Sequence, residues 1–320
     1  MERVAAGSSR LPKRVGIRYT LIGFMSSLIT ERLKKGVPWF VKIPAKIALS
    51  RLPVGRRQWQ RLNIFRAGMM DTPAEAFSIF KKHYGATGFT TLSGRTVLEL
   101  GPGNSALTSL FAASFGATRI WLVDTEPLAS KDVSLFGQAE HILSELNLPV
   151  PGAGTAPSMD AALKLLNATY LTEGLASLQT IPDNEVDFLF SNAVLEHVRL
   201  ADFAKTANEM RRVLKPKGVA SHQIDFRDHL QNGLNSLRFP ERIWESNFMA
   251  RSGFYTNRLT WPAMKKLFEE ASFSVELRSF ELWPNGLPTR QTSMASPFRN
   301  VPADELMMMG VHVVLRPHEQ

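Results

Sequence analysis

The segment from Thr96 to Asp124 constrains the fold more than any other part of the chain. Thr96-Val-Leu-Glu-Leu100 reads as a buried strand that runs directly into Gly101-Pro-Gly-Asn-Ser105. An apolar helix is expected from Ala106 to Phe115, with Gly116 as its stop, and Arg119-Ile-Trp-Leu-Val123 reads as a second strand closed by Asp124. A strand, a glycine turn, a helix and a strand ending in an acid make the building unit of a doubly wound, Rossmann-like parallel sheet. The unit suits a nucleotide-like ligand. Its glycines let the backbone approach closely, and the acid can take both ribose hydroxyls.

Two adenosyl cofactors fit that arrangement. Gly101-x-Gly103-x-x-Ala106 satisfies the dinucleotide fingerprint, with Asp124 at about the right distance. Glu99 argues the other way, because an acid two residues before the first glycine would face the pyrophosphate of a dinucleotide. The same acid suits S-adenosylmethionine, which carries no phosphate and has a cationic sulfonium and ammonium.

The most specific stretch is Ile181-Pro-Asp-Asn-Glu-Val-Asp-Phe-Leu-Phe-Ser-Asn-Ala-Val-Leu-Glu-His-Val198. Pro182-Asp-Asn184 is a turn, Val186–Phe190 a short buried strand, and Ser191-Asn192 falls at its carboxyl end, where ligands bind in open α/β sheets. Downstream, Glu209-Met-Arg-Arg-Val-Leu-Lys-Pro-Lys-Gly218 reads as a helix, a turn and a glycine before a fifth strand. With Glu99–Ser105 and Asp124, these four motifs in this order closely resemble class I S-adenosylmethionine-dependent methyltransferases of the type 11 branch, over about residues 94–225. The resemblance implies an α/β, Rossmann-like seven-stranded sheet whose last strand is antiparallel, with S-adenosyl-L-methionine as cofactor. It places Glu99, Gly101 and Gly103 at the methionine end of the cofactor and Asp124 on the ribose. Ser191 and Asn192 would face the reaction centre. Ser105 stands where the family has its third glycine. Many relatives carry an acid near residue 175 for the adenine amine, whereas this chain reads Thr172-Glu-Gly-Leu-Ala176, so backbone groups near Leu175 would take that contact. Leu148–Tyr170, rich in Pro and Gly, reads as an insertion before the third strand.

On the acceptor side, the fifth strand (about Val219–Ile224) leads into His222-Gln-Ile-Asp225-Phe-Arg-Asp228-His229. A His oriented by a carboxylate is a suitable general base for an acceptor hydroxyl. His229, beside Asp228 or reached by Asp225, is the leading candidate, and His197 from the Leu-Glu-His-Val stretch is a second. The Asp and His spacing matches no standard metal motif, so no metal is expected. Strands at about Phe273–Leu282 and Met307–Leu315 complete the sheet, and Trp283–Asp304, with four prolines, reads as a substrate-covering loop.

Composition adds placement. The chain has no cysteine, which excludes disulfides, Cys-zinc sites and thiol nucleophiles. Its net charge of +9 is uneven. Residues 1–70 hold 15 Lys and Arg against Glu2 and Glu31, while residues 71–320 hold 23 against 27 acids. The basic character belongs to an N-terminal extension (1–70) of short amphipathic helices, suited to peripheral contact with an anionic membrane surface. Residues 71–320 form the catalytic domain. Leu21–Ile29, the longest apolar stretch of the extension, is far short of the ~20 residues that span a bilayer. The sequence therefore points to a cytoplasmic methyltransferase, with a peripheral foothold on the inner membrane face through residues 1–70, that methylates an oxygen of a small-molecule, glycan or lipid-linked acceptor. No nucleic-acid partner is expected. The alternatives are an NAD-dependent oxidoreductase and a catalytically silent cofactor-binding module recruited to a membrane.

Overall fold

The computed structural model describes residues 72–318. The expected basic extension and its boundary near residue 70 lie outside the described residues.

The first described helix, α1 (Pro73–Thr87), starts where Pro73 presets the helical φ, and Thr72 caps it through its carbonyl, not through a side-chain bond. The sequence Thr72-Pro73-x-Glu75, a capping box, predicts a helix to about His83 with Gly85 near its end; the helix runs a turn further, to a left-handed cap at Gly88. The extra turn follows from packing. Phe77, Phe80, His83 and Thr87 recur at helical spacing, and all four are buried.

Next come β1 (Thr96–Leu100), α2 (Leu107–Ser114) and β2 (Arg119–Val123), close to the sequence reading. All five β1 residues are buried, as a strand covered on both faces requires. The stretch read as an insertion before the third strand is partly regular. After α3 (Ser134–Glu145), it holds α4 (Met159–Leu165), capped by the Ser158 hydroxyl, and most of β3 (Ala168–Leu171). Asn167, at φ 49°, makes the tight turn that lets β3 start before Tyr170.

The short α5 (Leu175–Gln179) precedes β4 (Val186–Asn192), α6 (Leu200–Val213) and β5 (Leu214–Asp225). The turn expected before the fifth strand is instead a bulge. Val186 pairs with Leu214 and Phe188 with Val219, so Lys215–Gly218 loop out of register. Pro216, which has no N–H to donate, lies in that bulge. Short helices α7 (Glu241–Trp244) and α8 (Asn247–Ala250) then lead to α9 (Trp261–Glu270), β6 (Phe273–Leu282), α10 (Ala303–Leu306) and β7 (Met308–Pro317).

The seven strands lie in the order β3-β2-β1-β4-β5-β7-β6. The first five are parallel, and β7 is antiparallel to both β5 and β6. One core layer packs α1, α2 and α3 against Val97, Phe188 and Phe190, and the other packs α6 and α9 against Leu98, Leu189 and Ala220. Phe188 and Phe190 are 0% and 1% exposed, each worth about 1.5–3 kcal/mol of burial. Because β1 and β4 are adjacent, the glycine turn after β1 and the turn after β4 emerge side by side at one end of the sheet. Trp283–Asp304 folds onto the segment after β5, where Trp283, Met294 and Leu306 pack on Leu234 and Leu237.

Candidate active site

Three chain segments meet at the carboxyl ends of β1, β2 and β4. In the first, Gly101 and Gly103 have φ of 69° and 65°, a region that costs a residue with a Cβ about 1–2 kcal/mol. A Cβ on Gly101 would lie 2.4 Å from Cγ2 of Val194 in the turn after β4, so that turn closes directly on the glycine. The Gly103 N–H donates to Asp124 Oδ2 at 3.0 Å, and the Thr125 N–H donates to Oδ1 at 2.7 Å. Asp124 is thus held against the glycine turn, and burial pushes its carboxyl above the usual range. The Gly174 N–H donates to the Asp124 carbonyl at 2.8 Å, which brings Leu175, at the start of α5, to the same corner.

Glu99 lies beneath this turn, 2% exposed, and its Oε2 accepts from the Thr108 hydroxyl on α2. Burial pushes its carboxyl up to about 8, with the Thr108 bond opposing and the nearby Asp124 charge adding to the shift. Two buried acids around a glycine cradle make a site for a cationic, phosphate-free nucleoside. They disfavour a pyrophosphate.

Of the β4-end pair, Asn192 is partly exposed on the α1 side, and its side chain acts on the buried His83. Ser191 points to the opposite layer. It is fully buried, 2.7 Å from Nδ1 of His222. His222 is a core residue, stacked with Phe268, and burial drives its pKa down to about 3.

The acceptor-side candidates come together. After β4, Leu195–His197 forms a 3₁₀ turn, pinned by Asn257, whose side-chain amide donates to the carbonyls of Leu195 and Val198 at 2.8 and 3.1 Å. His197 Nδ1 lies 2.8 Å from the Tyr255 carbonyl, and its Nε2 lies 3.3 Å from Nε2 of His229. The two rings are within 11° of parallel. His197 keeps an exposed edge, yet burial of the ring lowers its pKa, against the Tyr255 bond and the Asp225 charge. Asp225 itself is clamped by Arg227, with Nε and Nη2 at 2.7 to 3.0 Å. Asp228, expected beside His229, is 1% exposed and accepts the backbone N–H groups of Leu230, Gly233 and Ser236, so it shapes the loop. Next to His197, Glu196 is 4% exposed, its Oε2 has no hydrogen-bond partner among the described residues, and burial pushes its carboxyl up to about 8.

Residues 98–221 match the family model described as a methyltransferase domain. The match begins inside β1 and ends inside β5, so it encloses the glycine turn, Asp124 and the turn carrying His197. Over these residues the chain is similar to a methyltransferase domain. A probable methyltransferase of Aspergillus luteorubrus, ltbC, is 25% identical over 184 residues, which are 56% of this chain and 57% of that protein. The chain thus spans little more than half the length of this curated relative. Among solved structures, the YcgJ protein of Bacillus subtilis is 15% identical with a TM-score of 0.43, covering 77% of this chain and 100% of its own. Phosphoethanolamine N-methyltransferase 2 of Haemonchus contortus, in complex with S-adenosyl-L-methionine, is 14% identical with a TM-score of 0.41, covering 75% and 53%.

Three groups of this site were missed from sequence. Thr108 reaches Glu99 only because α2 folds back over β1. Val194 meets Gly101 through strand adjacency. The Tyr255 carbonyl fixes His197 from 58 residues away. No sequence spacing carries the last two. A hydroxyl in the first turn of the helix after the glycines was the one available signal for Thr108.

Proposed function

We propose that this protein transfers the methyl group of S-adenosylmethionine to a hydroxyl of a small-molecule, glycan or lipid-linked acceptor. The bound cofactor supplies an electrophilic methyl on a sulfonium that is already a good leaving group. The chain's own task is then alignment, exclusion of water and removal of the hydroxyl proton. Glu99, Gly101 and Gly103 cradle the methionine end, Asp124 holds the ribose, and the Leu175 backbone borders the base. Asn192 faces the space between cofactor and acceptor.

The His197–His229 pair is the observation that carries the oxygen acceptor, because an amine needs only its neutral form whereas a hydroxyl must lose a proton. A carbonyl can only accept, so His197 Nδ1 donates to Tyr255 and its Nε2 holds the lone pair. His229 Nε2 donates into that lone pair across 3.3 Å. Burial disfavours a charge on His197, against the Tyr255 bond and the Asp225 charge, so His197 stays the neutral partner that orients His229, the base for the hydroxyl proton.

Calorimetry with S-adenosylhomocysteine and with NAD, followed by transfer of labelled methyl into metabolite and lipid extracts, tests the reading. S-adenosylhomocysteine binding without NAD binding, and label on oxygen in the products, is the expected result. Label on nitrogen or carbon alone overturns the acceptor class, and loss of both homocysteine-ligand binding and transfer overturns the whole assignment.

A further inference from the structure

Glu99 is a carboxyl group in a place where a charge is hard to keep. It is 2% exposed on the inner face of β1, between the glycine turn and α2. The groups acting on it are the Thr108 hydroxyl from α2, 1% exposed, and Asp124 from the end of β2, while Tyr170 from β3 feels both acids. Asp124 repels a charge on Glu99, and no cation is among these groups. Thr108 is therefore its sole neutral, two-way partner among them. A hydroxyl can accept from a carboxylic acid or donate to a carboxylate by rotating its hydrogen.

Resting on the methyltransferase reading above, we propose that Thr108 is a positioning residue that lets Glu99 change protonation state when the cofactor's amino-acid end arrives, so that binding releases one proton. Without a ligand Glu99 holds a proton at neutral pH. An ammonium group brought beside it supplies the missing cation, the carboxyl O–H bond breaks, its proton leaves to solvent, and the carboxylate accepts both the ammonium and the Thr108 hydroxyl. The site thereby selects ligands by their α-amino group. A nucleoside that lacks it has no means of driving the release. Asp124 is also a buried acid, but it serves the ribose, which every adenosyl ligand carries. Comparing ligands with and without the amino-acid end therefore isolates Glu99.

The test uses the full chain, with S-adenosylhomocysteine and 5′-methylthioadenosine as probes. Calorimetry at pH 6.5 in two buffers of different ionisation heat should find nearly one proton released with the first ligand. Its affinity should fall about 25-fold between pH 7.5 and 6.0, as expected when a group with pKa near 8 must deprotonate to bind. The affinity for 5′-methylthioadenosine should stay flat over the same range. Thr108→Val, which removes the hydroxyl that favours the carboxylate, should weaken S-adenosylhomocysteine at pH 7.5 and carry its pH dependence to higher pH, and Thr108→Ser should restore both. Proton release of zero in the wild-type chain, equal pH dependence for the two probes, or a Thr108→Val profile identical to wild type overturns the proposal. The first two outcomes need no variant to fold. Absence of any S-adenosylhomocysteine binding instead overturns the methyltransferase reading itself.

Discussion

Gly101→Ala is the substitution whose cost can be worked most directly from the structure. Two penalties combine. At φ 69° an alanine pays about 1–2 kcal/mol for left-handed backbone. Its Cβ would also stand 2.4 and 2.9 Å from the two γ-carbons of Val194, distances at which something must move. Overpacking of this kind typically costs about 1–3 kcal/mol. The sum is roughly 2–5 kcal/mol, which for a domain of this size lowers the melting temperature by about 4–20 °C. Val194→Ala removes both γ-carbons, so the double variant should recover the overpacking share and keep only the backbone share. Urea unfolding of wild type, both single variants and the double variant closes the cycle, with an expected coupling of about 1–3 kcal/mol in favour of the double variant. Additive single effects, or a Gly101→Ala chain within about 0.5 kcal/mol of wild type, would refute the claim that the turn after β4 closes on the glycine. The site would share the consequence, because the turn that Val194 belongs to also carries His197.

Three further outcomes are expected. His229→Ala should lower turnover by about 10²- to 10⁴-fold while leaving S-adenosylhomocysteine affinity within about threefold, and equal loss of both would make His229 structural. The lowered pKa of His197 sets the sign of the pH profile: its neutral form persists below the usual 6.5, so at saturating cofactor the rate should hold through that value and fall only as pH drops through the depressed pKa. Finally, the intact chain should float with vesicles containing anionic lipid, and a chain lacking residues 1–70 should not. Identical flotation would reject the membrane contact read from the charge split. Among the described residues no helix is long and apolar enough to cross a membrane.

Much of the cofactor corner was legible because its determinants are local. A glycine at positive φ, an apolar helix after it and an acid closing the next strand are neighbours in sequence, and Gly103 meets Asp124 across only 21 residues. The acceptor side was legible only as a list of residue types. His222, Asp225, Asp228 and His229 look equivalent in a strand-to-loop exit, yet they have four different fates. His222 alternates to the far face of β5 and is buried on Phe268. Asp225 is taken by Arg227 two residues on, Asp228 folds its own loop, and His229 finds His197. The period-two geometry of the strand puts His222 and Asp225 on opposite faces, but loop closure decides the rest.

By itself the sequence determined the order of elements and the glycine turn with its two acids, of which Glu99 favours a cationic, phosphate-free nucleoside over a dinucleotide. Only the tertiary structure decided which acid is orphaned of cations, which histidines touch, and which hydroxyl stands against Glu99. The reason is physical. Backbone conformation and hydrophobic period are set within a few residues. Protonation and proton transfer depend on burial and on distances of about 3 Å between groups that only the closed sheet brings together.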